Sequence, residues 1–427
     1  MNYYKDCHFV PLSSQGNIYT SSCIKLANGF NKLLLAALKR EVICFEYQEN
    51  SSGNLYSTTK HISFTYIPSG AEIISLDAFN KSENGNDFVF GITIIKKGFD
   101  LNSTETYYLN IYSEWEESAD LNIESISQNC LNIELKFVPY HLTHTYLISN
   151  SNAATYKKEV VFLLSGSDIQ IHVYRENQTK HTYKEIDSND YFPEFSKLPS
   201  VVTWIDVFYY ENDKERLTAF GCECGYFRIC KVSVDKKEVI FRFSTQLDNI
   251  ISNVRIFTEN DSVSDDPKIS KIFSFVQNEP PNNLVLNVLV TNTLLPSVIF
   301  KDVLNYGLKK YTTLPKFETT GVITCSEVAD IDFDGNKEIL FGTSTQEVLV
   351  YKKISSNGWI LENIKQFPSP IFNIKHTDIT GDGIRELIII SMNGLHILQA
   401  NLNVTRELFQ KKIKAFTLLS SKLDVNN

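Results

Sequence analysis

Two acidic stretches near the C-terminal end limit what this chain can fold into. Asp330-Ile331-Asp332-Phe333-Asp334-Gly335-Asn336-Lys337-Glu338 runs straight into the apolar Ile339-Leu340-Phe341-Gly342. Starting 48 residues after the first, Asp378-Ile379-Thr380-Gly381-Asp382-Gly383-Ile384-Arg385-Glu386 runs into Leu387-Ile388-Ile389-Ile390. Each is a D-x-[D/T]-x-D-G-x-x-E turn feeding a strand, and the interval is about the length of one propeller blade. A chain that repeats so specific a turn at that spacing is built of repeats.

In an EF-hand loop the ligands stand at alternate positions, a glycine at 6 allows the sharp turn, and a bidentate Glu at 12 opens a helix. Here the acid comes at 9 and a strand follows, so the EF-hand is excluded. The loops resemble the FG-GAP type found between the strands of integrin-like propeller blades. Two unit charges about 4 Å apart repel by roughly 4 kcal/mol at an effective dielectric near 20. The convergent carboxylates of the first loop therefore need a cation or must splay into water. Asp330, Asp332, Asp334, Asn336 and Glu338 form one candidate calcium loop. Asp378, Thr380, Asp382 and Glu386 form a second, expected to bind more weakly because Thr380 replaces an acid. The alternative is that these acids only accept hydrogen bonds from the turn's own backbone. On either reading the loops are architectural, and no cofactor is required.

Strand, turn, strand units recur along the rest of the chain. They are Leu33–Tyr47, Phe88–Tyr112, Val160–Tyr174, Leu217–Val232, Leu286–Phe300, Glu338–Tyr351 and Glu386–Leu398. In most of them an apolar strand meets a short turn and then an alternating strand that ends on an aromatic residue. The expected fold is all-β, a seven-bladed propeller over residues 1–402 with a tail at 403–427. Inner strands are expected at Ile73–Asp77, Val201–Asp206, Val322–Cys325 and Phe372–Ile374, and outer strands at Leu55–Tyr66 and Glu238–Ser244. Asp77 and Asp206 read as remnants of acidic loops, and Asn17–Ile24 as a strand that closes the ring in the last blade. Short helices are expected within Asn122–Cys130 and Lys301–Lys310. In the tail, Leu402, Leu408, Phe409, Ile413, Phe416 and Leu419 recur mostly at three- and four-residue spacing, the pattern of an amphipathic helix.

Charge and cysteine usage narrow the function. A formal net charge of -9 argues against broad binding to nucleic-acid phosphates or anionic lipid. No apolar run is long enough to span a membrane, and no leader-like segment is visible at the start, so a reducing cytosolic setting with free thiols is expected. Cys222 and Cys224 are expected side by side on one buried strand face. The eight histidines are dispersed, with His141 and His144 reading as polar or buried residues rather than metal ligands. No nucleophile elbow, phosphate loop or channel-mouth cluster of acids marks an enzyme.

Whole segments carry a further resemblance. Phe64–Pro68, Ala71–Ser82, Cys130–Phe137, Val161–Gly166 and Asn393–Gln399 are similar in wording and order to the kaptin family, over roughly Ser13 to Leu402. The tail and the loop inserts depart from it. The resemblance implies a non-enzymatic propeller in the KICSTOR assembly, beside a second FG-GAP propeller protein, a helical subunit and a very large scaffold. That assembly brings GATOR to the lysosomal surface and restrains TOR signalling when amino acids or glucose are short. Actin-filament binding at the cell edge is the alternative the family implies, and the acidic balance gives it no electrostatic help.

Overall fold

The structure, a computed structural model, describes residues 3–26, 31–81, 87–98, 104–113, 122–152, 155–258, 284–294, 296–315, 321–354, 358–407 and 410. The strands assemble into seven four-stranded antiparallel sheets. Each of the seven expected hairpins supplies the two middle strands of one sheet. In blade six these are Glu338–Thr343 and Glu347–Lys353, and in blade seven Glu386–Ser391 and Gly394–Ala400. The inner strands are Ser21–Ile24, Ala71–Asn80, Pro139–Asn152, Val202–Tyr210, Ile251–Phe257, Ile323–Ala329 and Ile371–Thr377. Leu55–Ile62 and Glu238–Gln246 are the outermost strands of blades one and four.

Burial follows position within a blade. The second strands of blades five, six and seven are buried at every residue, because both of their faces meet a neighbouring sheet. The outermost strands of blades four and six are instead exposed or half-buried at every residue but Trp359. Side chains of one strand serve two interfaces in turn. Leu387 and Ile389 join Leu340, Val348 and Val350 of blade six, whereas Ile388 and Ile390 join Leu33, Leu35 and Phe45 of blade one. Among the described residues, the buried apolar side chains divide into seven clusters, each lying between two successive blades. Each fully buried Leu, Ile or Phe contributes roughly 1.5–3 kcal/mol, so the interblade layers are the main source of stability.

Ring closure differs from the sequence expectation. Ser21–Ile24 is the inner strand of blade one, not a part of the last blade. The closing strand is Tyr4–Pro11, which pairs antiparallel with Gly394–Ala400 as the outermost strand of blade seven. Its sequence hides the role, since an outermost strand needs no apolar alternation and Lys5, Asp6 and Cys7 are exposed.

Two further expectations are corrected. Cys222 is buried at the end of a strand while Cys224 is exposed in the turn that follows, so the pair does not share a buried face. Asp77 and Asp206 lie within inner strands, three residues short of where an acidic loop would begin. The short helices fall at Ile123–Ile126 and Val303–Tyr306. The connection from blade three to blade four is tied down by buried polar side chains. Arg216 donates to both Glu194 carboxylate oxygens at 2.8 and 2.9 Å, and Arg228 donates to the carbonyls of Glu194, Ser196 and Lys197. Helical backbone continues over residues 402–407. Most of the expected tail helix, including Leu408, Phe409, Ile413, Phe416 and Leu419, lies outside the described residues.

Blades four and six each place a glycine where the next inner strand begins. A Cβ on Gly221 would stand 2.3 Å from Ile251, and one on Gly342 would stand 2.6 Å from both Cys325 and Ile371. The close approach of neighbouring sheets needs a missing side chain there. Gly342→Ala is expected to cost about 1–3 kcal/mol through overpacking, read as a lower urea midpoint with an unchanged slope. An unchanged midpoint would show that the two blades can part at no cost.

Candidate functional site: two acidic loops and a charged axis

In blade six the first loop joins the inner strand Ile323–Ala329 to Glu338–Thr343. It turns through left-handed Phe333 (φ 62°) and Gly335 (φ 94°). Asp330 accepts from the amides of Asp334 and Gly335 at 3.1 and 2.9 Å, and Asp334 accepts from that of Asn336 at 2.7 Å. Glu338 reaches back to accept from the amide of Ile331 at 3.0 Å. Asp330, Asp332 and Glu338 each bring a carboxylate oxygen within 4.8 Å of the others. Asn336 is exposed and turns its side chain onto Asp334, away from that centre.

The cation this cluster requires comes from the chain itself. Lys352 Nζ, from the next strand of the same blade, donates to Asp332, to Asp334 at 2.8 Å, and stands 3.9 Å from Glu338. Burial and the Asp332 charge push the Glu338 carboxyl up to about 8. Burial alone would lower the Lys352 ammonium, but the hydrogen bonds it donates to Asp332 and Asp334 raise it well above its ordinary range. Lys352 thus supplies positive charge to Asp332 and Asp334, while Glu338 Oε1 stays buried without a hydrogen bond beside the convergent oxygens of Asp330 and Asp332. Counting carboxylates in the loop leaves out this lysine, which stands 14 residues after Glu338 and outside the turn signature.

Among the described residues, no lysine hydrogen bond or ion pair to the second loop's carboxylates is seen. Asp378 accepts from the amides of Gly381 and Gly383 at 2.7 and 2.8 Å, and Asp382 from that of Ile384 at 2.8 Å. Thr380 donates to Glu386 at 3.0 Å, and Glu386 also accepts from the amide of Ile379 at 2.8 Å. Asp378, Asp382 and Glu386 converge within 4.8 Å, and burial pushes the Glu386 carboxyl up to about 7. The donor set is all oxygen, the kind hard cations take.

Both loops also hold the closing strand. The Tyr4 hydroxyl donates to the carbonyl of Arg385 in the second loop at 3.1 Å and shares a hydrogen bond with His376 at 2.9 Å. Its ring stacks on Phe333 of the first loop at 6.1 Å.

The axis carries a second constellation, which the sequence did not reveal. Inner strands have a bulge at Ile74, Thr203, Ser252, Thr324 and Phe372. The third residue after each is Asp77, Asp206, Arg255, Glu327 and Lys375, respectively. His144 follows the irregularity at Tyr140-His141 in the same way, and Cys23 holds the matching place opposite Leu33 in blade one. From blade two to blade seven the signs alternate: Asp77, His144, Asp206, Arg255, Glu327, Lys375. An odd number of blades cannot alternate all the way round, and the break falls at neutral Cys23. His144 Nδ1 lies 2.7 Å from Asp77, and Arg255 lies 3.4 Å from Glu327. Asp206 accepts from the amide of Ile256 at 2.7 Å. Burial would lower the His144 imidazole, but Asp77 raises it above its ordinary value. Burial raises Asp206 and lowers Lys375. The missed signal was an ionisable residue at a constant offset from the bulge in six successive repeats.

One end of the axis is closed by the segment before the first inner strand. The Tyr19 ring lies against His141 at 5.3 Å and Trp204 at 6.1 Å, and its hydroxyl donates to the carbonyl of Thr203 at 2.9 Å. Asn373 of blade seven donates to the carbonyl of Ile18 at 3.3 Å, so the plug is held from both sides.

A family model described as KICSTOR complex protein kaptin matches residues 4–410. The chain belongs to that family. It is 36% identical over 410 residues to the mouse (Mus musculus) protein of the same description, covering 95% of this chain and 90% of the mouse protein. A crystal structure of BBS1N in complex with ARL6DN, soaked with lead, resembles it with a TM-score of 0.52 at 11% identity. That likeness covers 93% of this chain and 97% of the other, and it concerns the fold alone. The kaptin match starts at Tyr4, the residue of the closing strand that touches both loops.

Two measurements bear on this kaptin-family site. Lys352→Met leaves Asp332 buried without its counter-charge and is expected to cost on the order of 3 kcal/mol. Millimolar calcium should recover more of that loss than it shifts the wild type, as read by thermal melting. Calcium indifference in the variant would show that the backbone amides alone hold the loop. The second measurement concerns pH. His144 is raised in the folded state, so its stabilising share is complete below about 6.5 and is lost as pH rises through the folded value. Asp77, Lys375 and Lys25 are the charged groups acting on it. His144→Gln should flatten the fall of melting temperature above that pH, and identical slopes would remove the pair from the pH response.

Proposed function

We propose that this chain is a non-enzymatic scaffold subunit of a KICSTOR-like complex that recruits GATOR to the lysosome and restrains TOR signalling when amino acids or glucose are short. The observation that supports the reading is the relationship to the mouse KICSTOR complex protein kaptin over 95% of the chain. On this reading the work is done by outer surfaces. The rims of blades four and five leave Ile240, Phe243, Tyr306 and Tyr311 exposed at 52, 39, 48 and 61%. Phe243 packs near Gly307, so the two rims form one apolar stretch suited to a second propeller protein. Attachment to the lysosomal membrane would be peripheral, through the complex; no described helix is long and apolar enough to cross a membrane. Of the two acidic loops, the second is the one open to calcium, as a structural ion.

A tagged full-length chain, pulled down natively from starved cells at gentle salt, should bring a second FG-GAP propeller protein and a very large scaffold with it. Phe243→Asp combined with Tyr311→Asp should reduce that recovery by about tenfold or more, as loss of aromatic anchors does. Recovery of monomer alone would overturn the reading. Co-sedimentation with actin filaments in place of complex partners would move the function to the cytoskeleton.

A further inference from the structure

The outermost strand of a blade has a neighbour on one side only, so its other row of N–H and C=O groups is open to pairing unless something blunts it. Most edges of this ring are blunted. Blade five's outermost strand, Tyr311–Thr313, has three residues, and blade three's, Thr182–Ile186, has five that include Lys184 and Glu185. In blades six and seven the register breaks at Glu362 and at Cys7. Blade two's edge carries Glu134, and blade one's carries Lys60 and is half-buried over residues 57–59.

Blade four is different. Its outermost strand, Glu238–Gln246, is nine residues long, and after a bulge at Ile240 the stretch Phe241–Gln246 pairs without a break with Tyr226–Lys231. That stretch holds one charge, Arg242, whose guanidinium is drawn to the Pro193 carbonyl and the Ser196 hydroxyl at 3.4 and 3.2 Å, on the connection from blade three. Arg242, Phe243 and Ser244 are exposed in succession. The amide of Leu247 donates to the carbonyl of Gly225 at 2.9 Å, in register with this pairing. Hydrogen-bonded pairs alternate along an antiparallel ladder. Thr245, Phe243 and Phe241 therefore turn their amides to the neighbouring strand, and Gln246, Ser244 and Arg242 turn theirs outward. No hydrogen bond from another segment reaches the backbone of those three among the described residues.

The two faces of the strand set what fits beside it. Phe241 and Phe243 lie toward blade five, where Gly307 packs against Phe243 and Tyr306 is exposed. The opposite face presents Arg242 and Ser244. We propose that blade four takes a fifth strand, an extended segment of the second propeller protein that pairs main chain to main chain along Phe241–Gln246. Its side chains alternate, apolar toward Phe243 and Tyr306, and with a carboxylate toward Arg242. The inference rests on the scaffold reading and adds how the rim is held: backbone pairing supplies the affinity and the alternating side chains fix the register.

The tagged full-length chain is pulled down natively from starved cells, and recovery of the second FG-GAP propeller protein is compared between the wild type, Ser244→Pro and Ser244→Thr. Proline removes one outward-facing amide, a change that edge strands tolerate. The melting temperature should therefore stay near that of the wild type while recovery falls about tenfold, the worth of one interfacial hydrogen bond whose acceptor is left unpaired. Ser244→Thr keeps the amide and should recover as much as the wild type. Ser244→Lys, which places a charge on the edge, should lower recovery likewise and decides the matter if the proline variant does not fold. In the recovered complex the amides of Arg242, Ser244 and Gln246 should exchange with deuterium about tenfold or more slowly than in the chain alone, a protection that side-chain docking would not give. Equal recovery by the wild type and the proline and lysine variants, or unchanged exchange, overturns the inference and leaves the scaffold reading standing; monomer alone overturns both. A dimer of this chain that Ser244→Pro dissolves would give the edge to a second copy and overturn its assignment to a partner.

Discussion

The structure depends on face-to-face burial between sheets around a closed circle. A blade alone has two apolar faces and nothing to cover them, so each blade's stability is lodged in its neighbours. Closure is what makes the last of these interfaces possible. Leu33, Leu35 and Phe45 meet Ile388, Ile390 and Ile397 only because the first and last parts of the chain are brought together. The strand Tyr4–Pro11 secures that meeting by backbone pairing, with little side-chain burial of its own. It also covers what would otherwise be an exposed sheet edge.

Against that apolar frame, charge is managed locally. Glu194 and Arg216 neutralise each other behind blade four, and Lys352 neutralises the first acidic loop. The axis follows the same rule with one departure. Inner strands crowd seven polar side chains at one level, and alternating signs are the arrangement in which adjacent charges attract rather than repel. With an odd blade count one position must be left out, and neutral Cys23 takes it. The acidic loops and the axis are thus different in kind. Loop carboxylates are held chiefly by backbone amides and, in the first loop, by Lys352, in the service of the turn. The axial charges answer one another between successive blades.

How much of this was legible in the residues depended on range. Hairpins, blade number and the inner strands at Ile73, Val201, Val322 and Phe372 could be read, because strand alternation and turn chemistry act over a few residues. The chemistry of the loops was half legible: the turn signature stands in one stretch, but the lysine that answers it comes from the next strand but one. Closure was misplaced onto Asn17–Ile24, since a solvent-facing outermost strand carries no hydrophobic pattern to find. Cys222 and Cys224 were misjudged because a one-residue difference in where a hairpin turns moves a side chain from the core to solvent.

Local sequence therefore determined the unit: a twisted antiparallel sheet, repeated, with acidic turns leading into buried strands. The tertiary structure alone decided which unit lies beside which, where the ring is sealed, and which charges confront each other on the axis. The physical reason is that a side chain's covalent neighbours set its backbone, whereas its electrostatic partners are set by the circle. Asp77 and His144 are 2.7 Å apart in space while lying in different blades, and the break in alternation at Cys23 exists only once the blades stand in a closed odd-numbered ring.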